Sequence, residues 1–283
     1  MKLSDIHIRD PFILPYNGKY YMYGTRGDGC WDTCSGFDVY VSDNLENWSE
    51  PISVFEKSEG FWGEFEFWAP EVHLKDGKFY MLASFKAKGR RRASHILVSE
   101  RPDKPFTPVS EQPPTPKDWE CLDGTLYIGE DGSPYMVFCH EWVQIHDGEM
   151  CAVRLSEDLS KPIGEPFVLF KASEPSWASK GKQNYVTDGP FLYRTEQGRL
   201  LMIWSSLVGE NYVEAISYSD NGKIDGEWKH ADELLFSDNG GHGMIFEGFE
   251  KEKYFVFHSP NITPNERPCL IKIAEKDNTL KTV

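Results

Sequence analysis

The chain has 283 residues and a formal net charge of −15, with 40% hydrophobic and 14% aromatic residues. The negative charge argues against nucleic acid as a partner, because phosphates would be repelled. No apolar run is long enough to span a membrane, and the length suits one all-β domain over residues 1–283.

The N-terminal residues contain no apolar stretch of signal-peptide length, so we expect a cytoplasmic protein unless a leader has been trimmed. Six cysteines are scattered without a zinc or disulfide spacing. We therefore expect reduced, structural thiols. The sequence does not indicate an oligomeric state.

A hairpin signal recurs five times along the chain. A turn cluster, in most cases ending in glycine, leads into a short aromatic strand, and the turn glycines Gly18, Gly77, Gly132 and Gly198 are about sixty residues apart. One apolar run precedes each turn and another follows it, and a fourth, such as 166–170 or 233–236, occurs in most repeats. Four strands repeated five times predict a five-bladed β-propeller.

The segment before the first repeat, residues 2–8, alternates in apolar character. We expect it to pair with the last blade and close the ring, since closure removes exposed sheet edges.

The first strand of each blade lines the channel of a propeller, so the residues where these strands begin face one funnel. Converging carboxylates raise one another's pKa, and a fold rarely keeps such an arrangement for stability alone. The alternative is that Asp-Pro and Asp-Gly are only turn formers at strand ends. The five converging positions are Asp10, the neighbourhood of Glu71, Asp123, Asp188 and His242.

Aromatic residues lie on connections that lead to these strands. Trp31 lies in the loop 27–36, and Trp68 ends the aromatic run 61–68. Such rings can stack on a sugar or form a hydrophobic plug between blades, and the sequence does not decide between the two.

Three further segments are candidates for the rim of the pocket. The basic cluster 86–92 is either a solvated hairpin tip or a contact to an acidic or sulfated sugar, and the stretch 174–185, with Trp177, is a candidate lid. A third segment, 140–142, follows the second strand of blade three. The candidate sugar-binding residues are Trp31, Trp68, Glu71, His140, Glu141, Trp142 and His258.

Taken together, the motifs resemble glycoside hydrolase family 43 over nearly the whole chain. The motifs are Arg-Asp-Pro at Asp10, Trp-Ala-Pro-Glu at 68–71, Leu-Asp-Gly-Thr at Asp123, Asp-Gly-Pro at 188–190 and Gly-His-Gly at His242. Each is weak alone, and the set is specific.

The resemblance implies a five-bladed inverting hydrolase acting on arabinose- and xylose-containing glycans. It implies that Asp10 is the general base, that Asp123 tunes the pKa of the acid, and that the blade-four acid protonates the leaving group. It also implies that His242 lies near the channel centre, often beside calcium or water. A hard cation there would prefer oxygen ligands and tolerate one imidazole.

One position departs from the family pattern, because Asp188 stands where the family usually has Glu. The shorter side chain withdraws the carboxyl by more than about 1 Å, and such a shift can cost about a hundredfold in rate. Asp188 is our first choice as the acid, with Glu71, Glu141 and Glu174 as alternatives. Loss of hydrolysis is a further alternative.

The sequence thus predicts an exo-acting glycosidase that removes terminal arabinofuranosyl or xylosyl residues from plant-type oligosaccharides. Two alternatives stay open: a β-galactofuranosidase-like hydrolase on the same fold, and a carbohydrate-binding propeller without turnover.

Overall fold

The computed structural model describes residues 1–179 and 184–283. In these residues the chain forms five four-stranded antiparallel sheets, the blades of a β-propeller. This confirms the predicted fold class. The only α-helix in the described part is α1, Trp142–Ile145, and a 3-10 helix covers Leu3–Asp5.

The strands run in sequence order within each blade, from the channel outward. Blade one contains β1 Ile8–Tyr16, β2 Lys19–Arg26, β3 Gly36–Ser42 and β4 Ile52–Glu56. Blade two contains β5 Phe65–Lys75, β6 Lys78–Ala87, β7 Arg90–Ser99 and β8 Thr107–Pro108. Blade three contains β9 Cys121–Ile128, β10 Pro134–His140, β11 Glu149–Leu155 and β12 Pro162–Lys171. Blade four contains β13 Asp188–Arg194, β14 Leu200–Val208, β15 Asn211–Ser219 and β16 Trp228–His230. Blade five contains β17 Gly241–Glu247, β18 Lys253–Ser259, β19 Arg267–Lys276 and β20 Thr279–Thr282.

The repeated turn signal forms the hairpin between the first and second strands of a blade. Asn17 and Gly18 have φ of 48° and 74°, and Asp76 and Gly77 have φ of 51° and 78°. Two consecutive left-handed residues are typical of the type I′ turn, whose twist matches that of the flanking strands. The local turn chemistry therefore explains why these hairpins form.

The fourth strand of blade four differs from its prediction. It is β16, whereas the predicted stretch 233–236 makes only an isolated bridge between Glu214 and Phe236. Leu235 of that stretch is buried in the core between blades four and five. Its apolar character thus reflects packing between sheets rather than strand pairing.

The ring is not closed by the N-terminal segment, contrary to our expectation. Residues 3–5 are helical, and the chain enters β1 of blade one at Ile8, so each blade is one contiguous stretch of sequence. Blades one and five are joined by side chains, including a hydrogen bond from Arg9 Nη1 to Glu266 Oε1 (2.6 Å). Tyr20 adds a second contact, since its hydroxyl accepts from the Phe249 N–H (3.1 Å). We call this junction of blades one and five the seam.

Apolar clusters fill the spaces between neighbouring blades. The six cysteines are free thiols, and all except Cys269 are buried. Within residues 1–179 and 184–283, no helix has the length and apolar character needed to cross a bilayer.

Candidate active site

The first strand of every blade carries the same bulge. In each, residue i pairs with residue j of the second strand, and residue i+3 pairs with j−2, so one extra residue is inserted. Bulges re-aim side chains next to active sites. The residue after i has a left-handed φ in all five blades: Asp10 (52°), Ala69 (48°), Asp123 (56°), Gly189 (51°) and His242 (52°).

This register corrects two of the predicted positions. Ala69, two residues before Glu71, is the bulge residue of blade two. Gly189 is the bulge residue of blade four, so Asp188 lies one residue before the position that Asp10 and Asp123 occupy.

Side chains of the second strands hold the bulges of the next blade around the ring. Ala69 N donates to Thr25 Oγ1 (2.7 Å), and Asp123 N donates to Ser84 Oγ (2.8 Å). His242 N donates to Ser205 Oγ (2.6 Å). The ring closes across the seam, where the N–H of Asp10 donates to His258 Nδ1 (3.2 Å).

Blade four is the exception in this ring. The equivalent position on β10 is Cys139, which pairs with Leu122, and a thiol is a weak acceptor. The N–H of Gly189 donates instead to Asp123 Oδ2 (3.0 Å). This bond couples the Asp123 carboxyl to the backbone directly after Asp188.

A cavity of about 450 Å³ lies over these bulges. Such a volume lies within the range usual for small-ligand sites. The predicted residues that line it are Asp10, Trp31, Trp68, Asp123, Glu141, Trp142, Asp188 and His242. The structure therefore brings together the three acids, the histidine and four of the seven predicted sugar-binding residues.

Asp10 is buried and held on several sides. Thr25 Oγ1 donates to its Oδ2 (2.6 Å), and His242 Nδ1 lies 3.3 Å from its Oδ1. Burial by itself would raise the pKa of Asp10, but His242 and Arg9 outweigh it and hold the pKa below its ordinary value. Asp10 is therefore ionised at neutral pH.

Asp123 and Asp188 have the opposite electrostatics. Burial and the neighbouring Asp10 raise the pKa of Asp123 well above its ordinary value. Burial and the neighbouring Asp123 raise the pKa of Asp188 to about 7. Like charges in a buried site cannot all ionise together, so this pair retains a proton near neutrality.

His242 was predicted as a metal ligand. Its Nδ1 is directed at carboxylates, 3.3 Å from Asp10 Oδ1 and 3.9 Å from Asp123 Oδ2. Among residues 1–179 and 184–283, no three His, Cys, Asp or Glu side chains converge as a metal-binding group. Since calcium takes six to eight oxygen ligands, these side chains do not fit a protein cage for it, and the calcium site stays a prediction.

Two arginine–tryptophan pairs form part of the cavity wall. The guanidinium of Arg92 lies 3.7 Å from the ring centroid of Trp68 and bonds Glu66 (2.6 Å). Arg9 lies 4.8 Å from the ring centroid of Trp31. Arg92, the last residue of the basic cluster, is buried, so the solvated-tip interpretation does not hold for it.

Three of the predicted sugar-binding residues lie outside the cavity wall. Glu71 pairs with His73 (3.1 Å). His140 stacks on Trp119, with the ring centroids 4.1 Å apart. His258 is fully buried behind Asp10, and burial lowers its pKa to about 3, so it is neutral.

The candidate lid is only partly described. Residues 180–183 lie outside the described part of the chain, and Val186 lines the cavity. Trp177 packs beside Trp204, with centroids 5.5 Å apart, and bonds the Ala231 carbonyl (3.1 Å). Trp177 therefore belongs to the packing of blade four.

Sequence reasoning did not select several residues of the cavity wall. Arg9 directly precedes Asp10, and that adjacency was an available signal. Tyr212 and Arg92 lie on the third strands of blades four and two, where only the register shows which side chains point toward the cavity. The unselected wall residues also include Cys30, Leu122, Val143, Leu207 and Thr263.

Comparison with known proteins agrees with this fold. The family model for glycosyl hydrolases family 43 matches residues 4–279. A solved structure described as an endo-arabinase from Bacteroides thetaiotaomicron is 37% identical, with a TM-score of 0.91, and the match covers 99% of this chain and 98% of that chain.

Two curated proteins from Humicola insolens also match. Xylosidase/arabinosidase 43A is 28% identical over 152 residues, which is 50% of this chain and 46% of that protein. Alpha-L-arabinofuranosidase 43 is 25% identical over 210 residues, which is 72% of this chain and 42% of that protein. The chain thus spans less than half the length of these two relatives. The match of the family model over nearly the whole sequence shows that the chain belongs to family 43 of the glycosyl hydrolases.

Proposed function

We propose that the chain is an inverting, exo-acting glycosidase that removes terminal arabinofuranosyl or xylosyl residues from plant-type oligosaccharides. The observation that carries this proposal is that one cavity contains two aspartates, Asp10 and Asp188, whose pKa values are shifted in opposite directions. His242 and Arg9 hold the pKa of Asp10 below its ordinary value, whereas burial and Asp123 raise the pKa of Asp188 to about 7. Hydrolysis of a glycoside with inversion needs one ionised carboxylate as base and one carboxyl that still holds a proton near neutrality as acid. The names of the similar proteins support the sugar class.

In the proposed mechanism, Asp10 takes a proton from a water molecule as the water oxygen bonds to the anomeric carbon. The bond from that carbon to the leaving oxygen breaks, and Asp188 gives its proton to this oxygen. The step leaves Asp10 protonated and Asp188 ionised, and proton exchange with solvent restores both. Thr25 and His242 fix the Asp10 carboxylate for this step.

The mouth of the cavity is suited to the rest of the sugar chain. Trp31 is 53% exposed there, and its ring packs edge-on to that of Trp68, with centroids 5.5 Å apart. Its indole Nε1 donates to Thr263 Oγ1 (2.9 Å), which fixes the ring. An exposed, fixed aromatic face binds the apolar side of a sugar ring. We assign Trp31 to the leaving-group sugar.

Glu141 is the strongest of the alternative acids. It lines the cavity, whereas Glu71 and Glu174 do not. Burial raises the pKa of Glu141, although Arg92, 3.4 Å from it, opposes this. Asp188 is the better choice because, among residues 1–179 and 184–283, no Lys or Arg side chain bonds to it, and the Tyr212 hydroxyl donates to its carboxyl.

A second candidate function is endo-acting cleavage of arabinan. It is favoured by the similarity to the endo-arabinase, which extends over both chains. Incubation with linear arabinan separates the two functions, since exo action releases monosaccharide from the start and endo action releases oligosaccharides.

The first test is turnover of aryl glycosides (α-L-arabinofuranoside, β-D-xyloside and β-D-galactofuranoside). We expect one of the first two to be hydrolysed. The anomeric proton signal in NMR should show that the sugar first released has the inverted configuration at its anomeric carbon. Asp10→Asn should lose roughly 10²–10⁴-fold in kcat, the usual worth of a general base. Asp43→Asn, an exposed change in the same blade, should leave the rate unchanged.

Asp188→Asn and Glu141→Gln then identify the acid. The variant of the true acid should keep most of its rate on a nitrophenyl glycoside, which needs little protonation, and lose it on a disaccharide. Hydrolysis of the galactofuranoside alone would replace the proposed sugar. Sugar binding without turnover by the wild-type chain would show a carbohydrate-binding propeller instead.

A further inference from the structure

A tyrosine that sequence reasoning did not select contacts the proposed acid. Tyr212, on β15, places its hydroxyl oxygen 3.2 Å from Asp188 Oδ2. The side chain is only 4% exposed, yet it lines the cavity. No other hydrogen bond of this hydroxyl occurs among the residues described.

Tyr212 is held in place by a stacking contact of its ring and by two hydrogen bonds of its backbone. The ring stacks on that of His258, with centroids 5.7 Å apart and planes 23° apart. Its backbone N–H donates to Asn239 Oδ1 (3.3 Å), and its carbonyl accepts from Gly240 N (3.1 Å). Because these contacts fix the ring, the hydroxyl has little freedom to leave the carboxyl.

The direction of the bond determines where the acid can hold its proton. Burial and the neighbouring Asp188 raise the pKa of Tyr212 well above its ordinary value, so the phenol stays protonated and acts as the donor. Oδ2 is then an acceptor, and since a carbonyl oxygen accepts more strongly than a hydroxyl oxygen, this bond favours a carboxyl proton on Oδ1. In the described part of the chain no hydrogen bond reaches Oδ1.

We propose that Tyr212 is a positioning residue that fixes the Asp188 carboxyl and reserves Oδ1 for the proton transferred to the leaving group. This inference rests on the proposed function, in which Asp188 is the acid. As the Oδ1–H bond breaks and an O–H bond forms on the leaving oxygen, Asp188 gains a negative charge. The hydrogen bond from Tyr212 becomes charge-assisted at that moment, and such bonds are about twice as strong as neutral ones. Tyr212 therefore stabilises the transition state more than the ground state.

The test compares the wild-type chain with Tyr212→Phe, which removes only the hydroxyl. Tyr218→Phe is the matched control: Tyr218 lies on the same strand, under the guanidinium of Arg199 and away from the cavity. Each is assayed on a series of aryl glycosides that differ in the pKa of the leaving phenol, on the sugar that the wild-type chain hydrolyses.

We expect kcat of Tyr212→Phe to fall about 10–100-fold on the poorest leaving groups, which approaches the effect of removing one transition-state donor. The loss should shrink toward the best leaving group, with KM within about twofold. In an Asp188→Asn background the second change should have no further effect.

Equal losses across the whole series would overturn the inference, because a packing defect does not depend on the leaving group. No loss on any substrate would overturn it as well. If the wild-type chain has no turnover, the proposed function fails. The hydrogen bond is then tested by the ¹³C carboxyl shift of Asp188, and an identical titration in wild type and Tyr212→Phe would reject it.

Discussion

Asp10, Asp123 and Asp188 have identical side chains, and their neighbours give them different proton affinities. Asp10 faces His242 and follows Arg9, whereas Asp188 faces another carboxyl. The proposed assignment of base and acid therefore rests on position in the ring rather than on residue type.

This difference predicts the pH dependence of kcat/KM. As the proposed acid, Asp188 must be protonated to act, so activity should fall as the pH rises through its pKa of about 7. Asp123 is the largest charged contribution to that raised pKa, so Asp123→Asn should lower it and move the alkaline limb to lower pH.

The measurement is kcat/KM on a disaccharide between pH 4 and 10. Asp131→Asn is the control, since Asp131 is on the turn between β9 and β10, where its carboxylate accepts from the N–H and the hydroxyl of Ser133 (both 2.9 Å). If the alkaline limb of the pH profile stays in place in Asp123→Asn, Asp123 does not raise the pKa of Asp188 and the prediction is wrong.

At the scale of single residues, the sequence predicted the cavity residues on the first strands of the blades and few of those on other strands. Asp10, Asp123, Asp188 and His242 were found because each sits in a short motif at the start of a repeat. Tyr212 and Arg92 come from the third strands of their blades, where a shift of one residue turns a side chain to the other face. His258 was predicted to bind sugar because it follows a hairpin near the channel. It lies behind Asp10 instead, and how deeply a side chain is buried cannot be read from a local sequence pattern.

At the scale of elements, the bulge decides which groups meet. Gly189 has no side chain, and a Cβ there would lie 2.7 Å from Cδ2 and 2.8 Å from Cγ of His242. The imidazole can approach Asp10 and Asp123 because this space is empty.

Gly189→Ala should therefore displace His242 and reduce kcat about 10–100-fold, as misplacement by an ångström does. Gly198→Ala is the control: Gly198 also has a left-handed φ, 87°, but apart from its chain neighbours no atom of the described residues lies within 4 Å of a Cβ placed there. Both changes should cost about 1–2 kcal/mol in backbone strain. The check is kcat together with thermal unfolding, and equal activity of the two variants would refute the steric argument.

The five repeats and their hairpins were predictable because turn chemistry is local. The bulges were not, since they insert a residue without a distinctive composition. The fourth strands were the least predictable, because β8 and β16 are only two and three residues long.

At the scale of the whole molecule, the seam is the one junction between neighbouring blades that no peptide segment crosses. It also passes through the site, because Asp10 belongs to blade one and its N–H acceptor His258 to blade five. The ring can therefore part at the seam while every blade keeps its own strand pairing.

On heating, a variant with a weakened seam should lose activity at a lower temperature than its sheets unfold. Tyr20→Ala removes a ring that packs on Phe249 across the seam, with centroids 4.8 Å apart. Tyr127→Ala is the control, because Tyr127 accepts from Arg194 Nη2 (2.8 Å) across blades three and four, which the chain connects. Each change should cost about 3–5 kcal/mol.

The measurement is activity and far-ultraviolet circular dichroism against temperature. In Tyr20→Ala the activity curve should fall several degrees before the dichroism curve, and in Tyr127→Ala the two should coincide. Coincident curves in both variants would show that the seam does not open separately.

The five bulges also have a consequence for redesign of the ring. Ala69 adopts a left-handed conformation, and the equivalent residues of blades one and three, Asp10 and Asp123, are both aspartates. Aspartate and asparagine enter this conformation several times more often than other non-glycine residues. The backbone of blade two thus already suits an acidic side chain that its sequence does not supply, and the number of charges around the channel can be changed there without rebuilding a strand.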